Sequence, residues 1–89
     1  MLPAQRVYSS EFDHCFFRLP AGERRKIEAK IALVGAQLRL FHHERLRGVS
    51  FFKLRVGDYR VVYTFDVEAN RLDLITLGNR KDVYRGLSR

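Results

Sequence analysis

The 89-residue sequence is poor in cysteine, proline and acid: one Cys, two Pro, and ten Asp plus Glu against seventeen Lys plus Arg. A lone cysteine, Cys15, closes no intrachain disulfide and builds no thiolate metal cluster, and its apolar neighbours Phe12 and Phe16 assign it to packing. Nowhere do about eighteen apolar residues run uninterrupted, which excludes a membrane-spanning helix. Met1 to Ser10 lacks the apolar run of a secretory leader, so the cytoplasm is the expected compartment. No repeat, low-complexity tract or Gly/Ser linker interrupts the chain, and a single domain over residues 1–89 is expected.

What is present is an apolar fraction of 46% with seven Phe, enough for a packed fold with a thin core. The formal net charge is +7 and the pI near 10.2. Such an excess points to polyanionic partners. Thirteen of the cations are Arg and four are Lys. The planar guanidinium fork suits phosphate better than an ammonium does. No long helix pairs a basic face with an exposed apolar one, so nucleic acid outranks a membrane surface. The charge is concentrated between Arg39 and Arg60, where Arg39, Arg45, Arg47, Lys53, Arg55 and Arg60 face only Glu44 and Asp58.

Gln5 to Tyr8 reads as a short strand, and Ser9 and Ser10 are suited to cap a helix carrying Phe12, Cys15, Phe16 and Leu19. Pro20 and Gly22 end that run. A second helix starts near Ala21 to Glu23 with Ile27, Ile31, Val34 and Leu38 on one stripe. After Gly48 the period changes, and Phe51 to Val56, Tyr59 to Asp66 and Arg71 to Leu77 read as strands. Gly57-Asp58 suits a two-residue primed turn, and Val67 to Asn70 closes a second hairpin. The expected fold class is α+β: an N-terminal helical hairpin packed on a small antiparallel β-sheet. Arg80 to Arg89 stays open between a short C-terminal helix and a frayed end.

With a two-residue turn, Val56 lies opposite Tyr59, Arg55 opposite Arg60, Leu54 opposite Val61 and Lys53 opposite Val62. Period-two alternation then collects Lys53, Arg55 and Arg60 on one side of the sheet, with Leu54, Val61 and Tyr63 under the helices. Like charges opposed across a ladder are destabilising by a few tenths to about 1 kcal/mol. The cluster is either an anion site or a solvated face whose long side chains splay apart. The loop Gly78-Asn79-Arg80-Lys81-Asp82-Val83-Tyr84 can return beside the central strand, bringing Arg80 and Tyr84 to the rim of the same face.

The stretches Leu46-Arg47-Gly48, Phe52-Lys53-Leu54-Arg55-Val56-Gly57-Asp58-Tyr59-Arg60-Val61-Val62-Tyr63 and Leu77-Gly78-Asn79-Arg80-Lys81-Asp82-Val83-Tyr84 together resemble the RelE family of the RelE/ParE superfamily. The likeness covers roughly Leu46 to Arg85 closely and the preceding helical hairpin in layout. It implies the toxin of a type II toxin–antitoxin system: a metal-independent endoribonuclease, without cofactor, that cleaves mRNA on the ribosome. It also implies a hetero-oligomer with a cognate acidic antitoxin. Carried over residue by residue, Arg60 steadies the scissile phosphate, Arg80 assists the leaving oxygen, Tyr84 stacks on or orients the RNA, and Lys53 adds positive charge. Arg55, Arg47 and Lys81 are further RNA-binding candidates. Phe51 and Asn79 stand where the family often carries Lys and His, which leaves the general base open; Lys53 is either that base or a phosphate clamp.

Two other functions stay open: a ParE-like toxin that binds a topoisomerase, and a non-catalytic RNA-binding module. His42 and His43 precede the basic strand without a Cys or carboxylate cluster at ligand spacing, so a helix-end role is favoured over metal. His14 is expected to face solvent. Of Phe51 and Phe52, at least one is expected in the core or against a partner rather than under a base.

Overall fold

Ser9 starts the first helix as the sequence suggests: its Oγ accepts the Phe12 N–H at 3.0 Å, satisfying one of the free amides of the first turn. The computed structural model of the protein describes residues 2–79 and Val83. Among these residues the chain runs β1 (Gln5–Tyr8), α1 (Ser10–Phe16), α2 (Ala21–Ala36), β2 (Glu44–Arg45), β3 (Phe52–Val56), β4 (Tyr59–Asp66) and β5 (Arg71–Gly78). Helix α1 ends at Phe16, short of Leu19, because Pro20 has no N–H to extend it and opens α2 as its N-cap. The Arg24 guanidinium donates to the Leu19 carbonyl at 2.6 Å and clamps the corner between the helices.

The sheet has the order β1-β5-β4-β3-β2. The expected α+β class holds, with two corrections to the sheet. β1 lies parallel to β5, so the sheet is mixed rather than wholly antiparallel. A two-residue strand, β2, adds to β3 at the far edge, where the sequence shows no alternation long enough to announce it. The β3–β4 turn is as expected: Gly57 has φ +60° while Asp58 does not turn positive, the signature of a type II′ hairpin. In the β4–β5 turn Asn70 takes φ 51°, a left-handed conformation that Asn tolerates. There Asp66 Oδ1 accepts the Ala69 N–H at 3.1 Å.

One face of the sheet holds the core. Ile27, Ile31 and Val34 of α2 and Phe12 of α1 pack on Leu54, Val61, Tyr63, Leu72, Leu74 and Leu77, and all are buried. Leu38, expected on the helical stripe, is buried in the same cluster from just beyond the end of α2. Between Val62 and Tyr63 the register shifts: Tyr63 pairs with Leu74 and Val62 with Thr76, so Ile75 is the extra residue of a bulge. The Ser9 hydroxyl donates to the Ile75 carbonyl and ties the bulge to the start of α1. Because of the bulge, Leu74 and Leu77 both reach the core although they lie three apart. Thr76 and Gly78 are thereby turned to the opposite face, beside Val62 and Arg60.

Candidate nucleic-acid interface

The β3–β4 pairing is the one the turn dictates: Lys53 opposite Val62, Leu54 opposite Val61, Arg55 opposite Arg60, Val56 opposite Tyr59. Leu54 and Val61 belong to the core cluster, so Lys53, Arg55 and Arg60 occupy the face that the helices leave uncovered. The structure therefore brings these three expected residues together. Two cross-strand rows make up the face. One runs Glu44, Lys53, Val62, Thr76; the next runs Arg55, Arg60, Gly78.

The two guanidinium groups lean toward the hairpin turn. Arg55 Nε donates to the Gly57 carbonyl at 3.3 Å and Arg60 Nη1 to the Asp58 carbonyl at 3.4 Å, both long and exposed. Among the described residues neither forms an ion pair, whereas Lys53 Nζ stands 3.4 Å from Glu44 Oε2. Two forks hung on consecutive carbonyls, with most of their donors unused among the described residues, form an arrangement an anionic oxygen cluster can bridge.

Glu44 is a site residue that sequence reasoning missed. It sits nine positions before Lys53, and only the pairing of a two-residue strand reveals it. The pair is largely solvent-accessible, with 35% of the Lys53 side chain and 64% of the Glu44 side chain accessible. An exposed pair contributes at most about 1 kcal/mol. Replacing Glu44 with Gln is therefore expected to leave the melting temperature nearly unchanged and to strengthen binding of single-stranded RNA, measured by fluorescence anisotropy, because an anion beside the cationic face is gone. A second carboxylate reaches the face from α1: Thr76 Oγ1 donates to Glu11 Oε2 at 2.7 Å across 65 positions of sequence. No local signal announces that contact.

Arg47 is exposed in the loop after β2, lining an open concavity with Arg45, Leu46, Gly48, Val49 and Ser50, apart from the Lys53, Arg55 and Arg60 cluster. Arg80, Lys81 and Tyr84 lie outside the described residues. Val83 is described, and it packs against Gly78, directly across the strands from Arg60.

His43 is a structural residue, as its helix-end position suggested. Its Nε2 faces the Leu38 carbonyl at 2.8 Å and its Nδ1 faces Tyr63 Oη at 2.6 Å. A carbonyl only accepts, so in the neutral ring Nε2 carries the proton and Tyr63 donates to Nδ1. The ring stacks on Phe65 with centroids 3.8 Å apart. Tyr63 is buried, and that burial, with the charge of Glu44 second, pushes its phenol well above the ordinary tyrosine value. Among the described residues no group of three or more His, Cys, Asp or Glu could hold a metal. Phe52 packs on the core and carries the Arg45 guanidinium 5.5 Å above its ring, while Phe51 is half-buried. His14 is exposed and Cys15 sits at the core's edge.

A helical pair on one side of a mixed sheet is a fold this chain shares with solved RelE toxins. The toxin–antitoxin complex RelBE2 of Mycobacterium tuberculosis superposes with a TM-score of 0.75 at 20% identity, covering 90% of this chain and 94% of that one. The isolated Escherichia coli RelE toxin gives 0.74 at 20% identity over 88% and 85%. The archaeal RelE–RelB complex of Pyrococcus horikoshii gives 0.71 at 16% identity over 90% and 98%. No protein-family model and no curated protein matches the sequence.

Proposed function

We propose that the protein is a RelE-family toxin that cleaves mRNA on the ribosome. The observation that carries this reading is the pair Arg55 and Arg60, opposed across β3 and β4 and free of ion pairs among the described residues, with Lys53 on the same face. A sheet that accepts like-charge repulsion at this position has a use for an anion there, and phosphoryl transfer is helped chiefly by positioned cations.

In the proposed reaction the ribose 2′-oxygen forms a bond to the adjacent phosphorus as its proton leaves. The bond from phosphorus to the 5′-oxygen breaks, and that oxygen takes up a proton, giving a 2′,3′-cyclic phosphate and a 5′-hydroxyl. Arg60 holds the non-bridging oxygens, Arg55 and Lys53 add charge beside it, and Arg80 meets the leaving oxygen. Tyr84 stacks on the RNA, and Arg47 and Lys81 contact its backbone. Positive charge from these side chains supports a metal-independent step, and the ribosome supplies the in-line geometry.

Solved toxins of this fold include complexes with RelB antitoxins. The corresponding partner here is an acidic antitoxin that covers the cationic face in a cytoplasmic hetero-oligomer. Among the described residues no helix is long and apolar enough to cross a membrane.

The test is induction of the chain in growing cells with mapping of RNA ends. New 5′-hydroxyl ends within translated codons are expected, together with arrested translation. Intact transcripts with DNA damage would instead indicate a topoisomerase target, and salt-sensitive RNA binding with no cuts on translating ribosomes would indicate a binding module.

A further inference from the structure

On a face that gathers cations for a polyanion, a carboxylate is the side chain out of place, and Glu11 is one. Strand β1 ends at Tyr8, opposite Leu74, and beyond that point the start of α1 takes over the outer edge of β5. The Ser9 N–H donates to the Leu74 carbonyl at 3.0 Å and the Ser9 hydroxyl to the Ile75 carbonyl. Two residues later Glu11 reaches Thr76, whose Oγ1 donates to Glu11 Oε2 at 2.7 Å. Thr76 is 3% exposed, whereas Glu11 is exposed. The hydrogen bond holds the carboxylate without neutralising it: among the described residues Glu11 forms no ion pair, whereas Glu44 pairs with Lys53. A carboxylate only accepts, and Thr76 uses one of about four acceptor positions.

Thr76 pairs with Val62, and Gly78, two residues further along β5, pairs with Arg60. Diagonal neighbours of this kind stand about 7–8 Å apart, which places Glu11 within the span of one nucleotide from the Arg60 position. A phosphate is repelled there, and a hydrogen-bond donor is accepted. We infer that Glu11, held by Thr76, is a specificity-determining residue that accepts from the exocyclic amino group of a nucleobase beside the phosphate gripped by Arg60, selecting cytosine over uracil. The inference rests on the nuclease reading. Cytosine offers its N4 amino group to an acidic side chain, while uracil carries the O4 carbonyl at the same place and sets oxygen against oxygen. Thr76 fixes the carboxylate in advance, so less rotamer freedom is lost when the base arrives.

The experiment measures Kd by fluorescence anisotropy for 2′-O-methyl hexacytidylate and hexauridylate, which cannot be cut and whose internal riboses donate no hydrogen bond. The parent is expected to bind the cytosine strand roughly tenfold more tightly. Glu11→Gln, whose amide offers either a donor or an acceptor, should lose that preference and bind both strands more tightly than the parent binds uracil. Thr76→Val removes the hydroxyl and keeps the charge; its preference should fall to about threefold or less, while Thr76→Ser keeps the parent's ratio. Thermal melts on the same preparations confirm folding. A Glu11 that serves only the start of α1 would leave the ratio of the two constants at the parent value in Glu11→Gln, and that result would overturn the inference. Mapping RNA ends in induced cells separates it from the nuclease reading. Cuts falling equally beside cytosine and uracil would overturn the base reader and leave the nuclease standing. A cytosine preference in a chain that makes no cuts would overturn the nuclease and leave Glu11 as the reader of a binding module.

Discussion

Arg60→Ala is expected to lower the rate of mRNA cleavage on translating ribosomes by on the order of 10²–10³-fold, the scale seen when one positioned donor to a developing oxyanion is removed. The same substitution should not destabilise the protein. Among the described residues Arg60 donates one long, exposed hydrogen bond, to the Asp58 carbonyl. It also faces Arg55 across the ladder, and relieving that repulsion offsets the loss by a few tenths to about 1 kcal/mol. A variant as stable as the parent, or more stable, yet nearly inactive, is the signature of a residue retained for function. Arg60→Lys keeps the charge without the fork and should recover only part of the rate. Initial cleavage rates and thermal melts on the same preparations check both halves, and parental cleavage by Arg60→Ala would remove the residue from the site.

Tyr63→Phe should produce a large effect on stability with little loss of packing. The ring remains, wedged in the core among Val61, Leu74 and the helices, but the donor to His43 Nδ1 disappears. A polar group left unsatisfied in such surroundings costs about 1–3 kcal/mol. In a domain of this size each kcal/mol corresponds to about 4–8 °C in Tm. The Tyr63 phenol also links stability to alkaline pH. Its value is raised in the folded protein by burial and secondarily by Glu44, so the folded state favours the neutral phenol. That contribution is complete below the ordinary tyrosine value of about 10 and is lost as pH rises toward the folded value, at up to about 1.4 kcal/mol per pH unit. Denaturant titrations between neutral pH and pH 11.5 or so should show the parent's advantage over Tyr63→Phe shrinking from about pH 10 upward. Parallel stability curves would show that the phenol titrates alike in both states.

Much of this architecture is legible in the chain. Gly57-Asp58 sets the β3–β4 register because glycine accepts the positive φ that a two-residue turn demands, and strict alternation then carries Lys53, Arg55 and Arg60 to one side. The stripe Ile27, Ile31, Val34 needs only helical spacing. What escapes local reading has non-local causes. β1 reads correctly as a strand, but its parallel partner β5 lies 66 positions away, and nothing in Gln5 to Tyr8 chooses between edges. β2 is two residues long, below any detectable period, and with it the Glu44 partner of Lys53 stays hidden. The bulge at Ile75 interrupts alternation through a hydroxyl from Ser9, a contact no window of sequence contains. The burial of Thr76 beside Glu11 of α1 depends likewise on a contact across 65 positions of sequence.

Nuclear magnetic resonance gives the most direct test of a shared phosphate grip on β3 and β4. The labelled protein would be titrated with a short RNA blocked at its 2′-oxygens, following the Arg Nε–H and Lys Nζ signals. Arg55 and Arg60 should shift together at one binding constant with Lys53 beside them, and a single phosphorothioate in the RNA should perturb all three. Shifts confined to the α1–α2 pair, or Arg55 and Arg60 responding to different phosphates, would contradict it.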